Sequence, residues 1–284
     1  MKPKNYFFLL AILFFAEAKS QEKILSLNKI EVDRFLLDGT ISNEEIEGAK
    51  ILEVKYEEQP GYNIEPSQRT TGFLTYSNKH LYVGIKAYRD KVVAPVTTRD
   101  NRAIWRGDFT GLAIDTYGDA RNNIIINSNP SGSQSDAIRM PGTGRGGGPS
   151  VNSNVNYDFK SMGRITEDGY ELEFIIPFSE LPFPNGKTQT WKIKIFTGYL
   201  DDKNEGAEVR VASSMSNRDA SCQLCLLDHT IVLNDIDIDK KLNFLPYVSS
   251  NLSGLREKYY DRINYETPEL NYGIGFDIEL NKNF

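Results

Sequence analysis

The residues most suited to chemistry lie between Ala103 and Asp136. This segment holds Trp105, one of only two tryptophans in the chain, and then a series of oxygen-bearing side chains at strand ends and turns: Asp108, Asp115, Asp119, Asn127 and Asp136. Calcium takes about six to eight oxygen ligands of this kind. Two interpretations are open: a structural calcium site, with Asp115 and Asp119 as its candidate ligands, or carboxylates that simply face solvent in turns.

Composition and charge limit the class of protein. The chain has 284 residues, of which 39% are hydrophobic and 11% aromatic, so it can bury a sizeable core. The formal net charge is −6. Residues 1–20 contribute a net +2, from three lysines and one glutamate, so the remainder is more acidic still. An acidic chain is poorly suited to bind nucleic acid by bulk charge, and we expect no nucleic-acid partner.

The first twenty residues have the pattern of a secretory signal peptide. Lys2 and Lys4 precede an unbroken apolar run, Tyr6–Ala16, which is too short to span a bilayer. Two small-x-small sites follow, at Ala16–Ala18 and Ala18–Ser20. We therefore predict that residues 1–20 are removed and that the protein is exported.

The two cysteines, Cys222 and Cys225, lie close together in the sequence SCQLC. Export permits a disulfide between them. A zinc site would need further ligands, and His229 is the only histidine nearby. A local disulfide or two reduced thiols are the interpretations that we favour.

The residue pattern predicts that most of the chain forms β-strands. Apolar residues alternate at period two in several short runs, separated by turn signals such as Asn185-Gly186, and little of the chain has a helical pattern. Many short strands with regular turns predict an all-β fold, a two-sheet antiparallel β-sandwich over residues 21–240. In one of these runs Glu171 and Glu173 alternate outward, which predicts a solvated face.

The C-terminal part has a different pattern. From Glu269 onward the alternation continues without a break, with Leu270, Tyr272 and Ile274 on one face and polar or glycine residues on the other. This pattern is typical of a transmembrane barrel strand, although a hairpin of a soluble sheet is an alternative. Residues 242–253 would form the preceding strand. We expect residues 241–284 to be the first, incomplete part of an outer-membrane β-barrel.

Four stretches together resemble the carbohydrate-binding modules of family 9. They read LDGTISNEEIEGAKIL, TTGFLTYSNKHLYVGIKAYRD, IWRGDFTGLAIDT and GYELEFIIPFSEL, and the resemblance covers about residues 30–235. The segment from TTRDN to SQSDA and the segment LNFLPYVSSN are similar to a subgroup of exported bacterial proteins, in which the module precedes an outer-membrane barrel. The resemblance implies a β-sandwich, structural calcium, and a place in the periplasm or outer membrane of a Gram-negative bacterium.

The resemblance also implies a sugar site. In the sugar-binding members two tryptophans clamp a pyranose ring, and Trp105 matches the first of them, although it could instead plug the edge of the sandwich. Asn217 stands at the second clamp position, and Gly111 and Ile125 stand where the family has charged residues. The candidate carbohydrate-binding residues implied here are Trp105, Asp108, Asn217 and Arg218.

The function that these observations favour is non-catalytic glycan binding at the cell envelope, with a link to carbohydrate catabolism and an oligosaccharide or polysaccharide as partner. One alternative is a structural domain that docks onto the barrel and binds no sugar. Another is a membrane-associated glycoside hydrolase. Catalytic signatures are weak, because His80 lies in a turn, His229 lies beside the cysteine pair, and no nucleophile elbow is visible.

Overall fold

A computed structural model describes residues 23–30, 35–142, 148–201, 206–237, 242–256, 258–259 and 262–278. The predicted signal peptide lies outside these residues. The single α-helix in the described ranges is α1 (Asn43–Ile46). The strands are β1 (Lys23–Ser26), β2 (Lys50–Glu53), β3 (Tyr56–Gln59), β4 (Thr70–Tyr76), β5 (His80–Tyr88), β6 (Phe109–Asp115), β7 (Asn123–Ser128), β8 (Gln134–Met140), β9 (Ser150–Asn152), β10 (Lys160–Thr166), β11 (Gly169–Pro177), β12 (Thr188–Asp201), β13 (Ala207–Ala212), β14 (His229–Asn234), β15 (Leu242–Asn251), β16 (Gly254–Leu255), β17 (Asn264–Tyr265) and β18 (Glu269–Ile278).

Most of these strands form two sheets. Sheet A has nine strands in the order β1-β14-β12-β6-β7-β8-β9, with β13 paired to β12 and β3 paired to β13. Sheet B has five strands in the order β10-β11-β5-β4-β2. Of the strand pairs described in the two sheets, only β1 with β14 is parallel. The predicted all-β fold and antiparallel β-sandwich are confirmed.

The core lies between the two sheets and follows from the period-two pattern. Inward residues such as Ile195 of sheet A and Ile85 of sheet B are fully buried. Burying each such side chain stabilises the fold by roughly 1.5–3 kcal/mol. Gly72 of β4 admits this packing, because a Cβ there would lie 2.3 Å from the Cδ1 atom of Ile195.

A buried ion pair joins the sheets at one end of the sandwich. The Nε atom of Arg89, just after β5, lies 3.0 Å from Oδ1 of Asp108, just before β6. The same guanidinium donates to the hydroxyls of Thr70 in sheet B and Thr197 in sheet A. Asp108 also accepts a hydrogen bond from the backbone N–H of Val93. The pair therefore fixes both sheets and the loop that leads into β6.

This geometry corrects the role expected for Asp108. Its side chain is only 1% exposed, and both carboxylate oxygens are used within the protein. A group buried in this way is not available to hydrogen-bond a sugar hydroxyl. The Trp-x-x-Asp spacing therefore serves to anchor the start of β6.

The N-terminal segment covers part of sheet B. Oε2 of Glu173 accepts the N–H groups of Asp38 and Gly39, at 3.0 and 2.6 Å. Glu171 accepts the N–H of Ile41 in the same way. The expectation of a solvated face is wrong for Glu173, which is fully buried because this segment lies on it. Burial raises the pKa of Glu173 to about 8; the N–H of Gly39 opposes this shift, and the negative charge of Glu45 adds to it.

The C-terminal strands β15 and β18 pair with each other along ten residues, from Leu242 with Ile278 to Asn251 with Glu269. Directly paired residues share one side of the ladder. One side therefore carries a continuous set of exposed apolar side chains: Phe244, Val248, Leu270, Tyr272 and Ile274, each 56–80% exposed. The other side carries Asn271, Gly273 and Gly275 of β18, opposite Ser249, Tyr247 and Leu245 of β15. Tyr247 and Leu245 are exposed there too, at 57% and 58%, so this side is mixed in character. The barrel itself stays a prediction.

Within the described ranges, no helix has the length and apolar character needed to cross a bilayer.

The substitution Asp108→Asn should lower the free energy of unfolding by about 3–5 kcal/mol, because it leaves the buried Arg89 guanidinium without a counter-charge. Urea unfolding followed by circular dichroism measures this change. Asp119→Asn, in an exposed turn, is the matched control and should cost less than about 1 kcal/mol. A loss below about 1 kcal/mol for Asp108→Asn would contradict the role assigned to the ion pair.

The pKa of Glu173 predicts a pH dependence of stability. Because this pKa is higher in the folded chain than the ordinary value of a glutamate, the stabilisation is largest at low pH and is lost as the pH rises through about 8. Glu173→Gln mimics the protonated acid. Unfolding free energies measured from about pH 5 to 9 should fall in the wild type and much less in this variant. Equal slopes for the two proteins would refute the assignment, and Glu171→Gln should retain the wild-type slope.

Candidate functional site

The candidate site is a cleft of about 220 Å³ on the outer face of sheet A, the face turned away from the core. Typical pockets for drug-sized ligands are larger, about 300–1,000 Å³. Its principal lining residues are Glu58, Trp105, Arg139, Lys194, Phe196 and Arg210. The cleft thus combines two aromatic rings with four charged side chains.

Strand alternation places most of these side chains on the same face. In β12, Ile193 and Ile195 point into the core, so Lys194 and Phe196 point outward. In β13, Arg210 points outward between two buried valines. The same rule of period two that builds the core therefore also builds the cleft.

Trp105 comes from a short 3₁₀ turn, Arg102–Trp105, just before β6. The side chain of Asn101 caps this turn by accepting the N–H of Ala103, at 2.9 Å. The guanidinium of Arg210 donates to the carbonyl of Trp105 at 3.2 Å, and it lies 5.7 Å from the indole ring. Trp105 is therefore held in place by its neighbours and is half-buried at the cleft.

The two rings of the cleft form an aromatic surface. Trp105 and Phe196 are nearly parallel, with an interplanar angle of 15° and centroids 6.3 Å apart. Phe109 packs edge-on against Trp105. Gly111 makes this arrangement possible, because a Cβ at that position would lie 2.5 Å from the Phe196 ring. Phe196 thus occupies the space above the position at which the family resemblance expects a charged residue.

Among the described residues, three of the four charged side chains that line the cleft form ion pairs, and Arg139 does not. Lys194 Nζ lies 3.0 Å from Oε1 of Glu58, and Arg210 forms an ion pair with Glu208. The side chain of Arg139 forms neither a hydrogen bond nor an ion pair with any residue in the described part of the chain. Burial lowers the pKa of Arg139, and the negative charge of Glu58 opposes that shift.

A loop of residues 213–228 covers the neighbouring part of the outer face. Leu227 packs there on Ala113, Ile125 and Ala137, together with Phe196. Ile125, at a position where the family resemblance expects an arginine, is therefore buried under this loop. Cys222 and Cys225 form a disulfide within the loop.

The other residues expected to bind sugar lie beside the cleft. The side chain of Asn217 accepts the N–H of Asp219 within the covering loop. Arg218 donates to the carbonyl of Gly61 at 2.8 Å and lies over the ring of Tyr62. Neither side chain is among those that line the cleft. Of the four sequence candidates, Trp105 alone lines it.

Sequence reasoning missed Glu58, Arg139, Lys194, Phe196 and Arg210. A signal existed for two of them, because the run WKIKIF alternates and so directs Lys194 and Phe196 to one face. Glu58 and Arg139 carry no such signal, since they lie on β3 and β8, which reach the cleft only through the order of strands in sheet A.

The two calcium candidates hold a turn. Asp115 is buried and accepts the N–H groups of Tyr117, Gly118 and Ala120, at 3.1, 2.8 and 2.8 Å. Asp119 accepts the N–H of Arg121. Among the described residues there is no group of three or more acidic, histidine or cysteine side chains that could hold a metal ion. These hydrogen bonds account for the positions of both carboxylates without a metal ion. Calcium binding stays a prediction.

A serine, a histidine and an aspartate meet near the covering loop. Ser214 Oγ donates to Oδ1 of Asp228 at 2.5 Å, and Nδ1 of His229 lies 2.7 Å from the same oxygen. Burial would raise the pKa of Asp228, but hydrogen bonds from His229 and Ser214 outweigh it and hold the pKa below its ordinary range. A catalytic triad needs the serine on the other ring nitrogen, Nε2. Both partners here face Nδ1, so the cluster ties β14 to the loop.

Comparison with known proteins gives matches at the level of structure. No model of a protein family matches the chain, and no curated protein matches it. A carbohydrate-binding module of family 9 from Caldicellulosiruptor kristjanssonii, in complex with cellotriose, matches with a TM-score of 0.53 and 12% identity, over 76% of this chain and 95% of that one. A family 9 module from the same organism, in complex with glucose, matches with a TM-score of 0.51 and 12% identity, over 74% and 94%.

A candidate carbohydrate-binding protein from Bacteroides uniformis also matches, with a TM-score of 0.52 and 13% identity, over 74% of this chain and 99% of that one. At such low identity these similarities concern the fold. The chain has the β-sandwich fold of the family 9 carbohydrate-binding modules, as the four sequence stretches implied.

Proposed function

We propose that this protein binds carbohydrate, without catalysis, through the cleft at Trp105. The observation that carries the proposal is the near-parallel pair of Trp105 and Phe196 beside Glu58 and Lys194 on one exposed face. Sugar rings present C–H groups that pack on aromatic faces, and hydroxyls that need directed donors and acceptors. Two structures with this fold are complexes with cellotriose and with glucose.

Each side chain has a distinct part in this proposal. The indole of Trp105 supplies the stacking surface, and Phe196 extends it. The carboxylate of Glu58 accepts hydrogen bonds from sugar hydroxyls, while Lys194 donates to sugar oxygens. Arg210 positions Trp105 through the bond to its carbonyl. The small volume of the cleft suits one end or one ring of an oligosaccharide or polysaccharide.

The cellular setting that we propose is the outer membrane, with the module presenting glycans for carbohydrate catabolism. The apolar side of the β15–β18 pair supports this setting, because such a surface is costly to leave in water. The pattern of the signal peptide in residues 1–20 is consistent with export. In this proposal β15 and β18 are the first strands of the barrel that follows the sandwich.

Isothermal titration calorimetry of the full chain with glucose and cellotriose tests the binding proposal. Trp105→Ala should weaken binding at least about tenfold, because it removes the stacking surface. Tyr88→Ala removes an exposed aromatic ring from sheet B and should leave the affinity unchanged. The proposal fails if no sugar gives heat at millimolar concentration, which would favour the structural alternative, or if Trp105→Ala binds as tightly as the wild type.

Flotation of the full chain with phosphatidylcholine vesicles tests the proposed membrane setting. The wild type should float with the vesicles. Ile274→Asp places a charge on the apolar side of the strand pair and should abolish flotation, since charges are expelled from hydrocarbon. Ser249→Asp adds the same charge to the opposite side and should float like the wild type. Equal behaviour of the two variants would count against the assignment of the apolar side to lipid.

A further inference from the structure

We propose that the sugar bound in the cleft is acidic and that Arg139 binds its negative group. This inference rests on the proposed carbohydrate binding and specifies its ligand class.

Arg139 reaches the cleft from a distant strand. It lies on β8, which is separated from β12 by β6 and β7. Its side chain nevertheless lines the same cleft as Lys194 of β12 and Glu58 of β3. The long arginine side chain therefore reaches the cleft that also contains Trp105 and Phe196.

Among the cations that line the cleft, Arg139 is the one without an ion pair to a described residue. Lys194 is paired with Glu58, and Arg210 is paired with Glu208. Among the described residues, Glu58 is the only acid that lines the cleft, and it already accepts from Lys194. The cleft is locally cationic, although the chain as a whole carries a formal charge of −6.

Burial makes this unpaired charge costly. The side chain is largely withdrawn from water, and that burial lowers the pKa of Arg139 from its ordinary value. An arginine stays protonated in proteins under ordinary conditions, so the cost falls on the unliganded cleft. A ligand that brings a negative charge against the guanidinium recovers this cost, whereas a neutral sugar does not.

The donors of Arg139 fit an anion that presents two acceptor oxygens side by side. A guanidinium offers parallel N–H groups that match a carboxylate or a sulfate in a bidentate manner. A sugar that carries such a group next to its ring satisfies the aromatic surface and the cation at once. Hexuronates and sulfated hexoses share this chemistry, and the experiment separates them.

The test is calorimetric titration of the full chain with D-glucuronate, glucose 6-sulfate and D-glucose. The wild type should bind at least one of the two acidic sugars about tenfold or more tightly than glucose. Arg139→Gln should reduce the affinity for that acidic sugar about tenfold or more and change the affinity for glucose less than about twofold. Which acidic sugar binds more tightly identifies the carboxylate or the sulfate as the group recognised.

Arg106→Gln is the matched control. Arg106 is exposed, follows Trp105 directly, and does not line the cleft, so its removal changes the net charge equally. This variant should retain the preference for the acidic sugar. Circular dichroism should show that Arg139→Gln is folded, because the substitution removes a desolvated charge.

Three results would overturn the inference, and the third would also overturn the proposed function. If the wild type binds glucose as tightly as both acidic sugars, or if Arg139→Gln binds the acidic sugar unchanged, the cleft binds carbohydrate without recognising charge. If none of these sugars binds and cellotriose does not bind either, the proposed function fails and this inference fails with it.

Discussion

The ion pair between Arg89 and Asp108 is the interaction on which the rest of the structure depends. Removing two charges from water costs several kcal/mol for each ion, and here the cost is offset by hydrogen bonds to nearly every polar atom of the pair. These bonds come from sheet A, from sheet B and from the backbone of Val93. The N–H of Asp108 also donates to the carbonyl of Val93. Two hydrogen bonds between Val93 and Asp108 therefore join the two ends of the loop that carries Trp105.

The outer face of sheet A follows from this anchoring. Trp105 is presented three residues before Asp108, where it meets Phe196 above Gly111. The positions at which the family resemblance expects charged groups hold Gly111 and Ile125, and the structure accounts for both. Gly111 makes room for an aromatic ring, and Ile125 lies beneath Leu227 of the covering loop. The charged groups of the cleft come instead from β3, β8, β12 and β13.

The sequence predicted the two-sheet fold because period-two alternation encodes which side of each strand is buried. Through the resemblance to a family it named Trp105 as a candidate for sugar binding; the structure places Trp105 in the cleft, and its binding role stays a prediction. It placed Asp108 and Glu173 in the wrong environment, because their burial depends on Arg89 and on residues 38–41, which are far from them along the chain. Arg139 and Glu58 were missed for a related reason: their convergence depends on strand order, which a local pattern does not contain.

The central claim is that the cleft at Trp105 is the sugar site of this sandwich. The most direct measurement is a crystal structure of the full chain grown with a saturating concentration of a sugar that binds in solution. The account predicts a sugar ring stacked on Trp105, with its hydroxyls within hydrogen-bond distance of Glu58 and Lys194. A sugar ordered elsewhere on the sandwich, with the cleft at Trp105 empty, would contradict it.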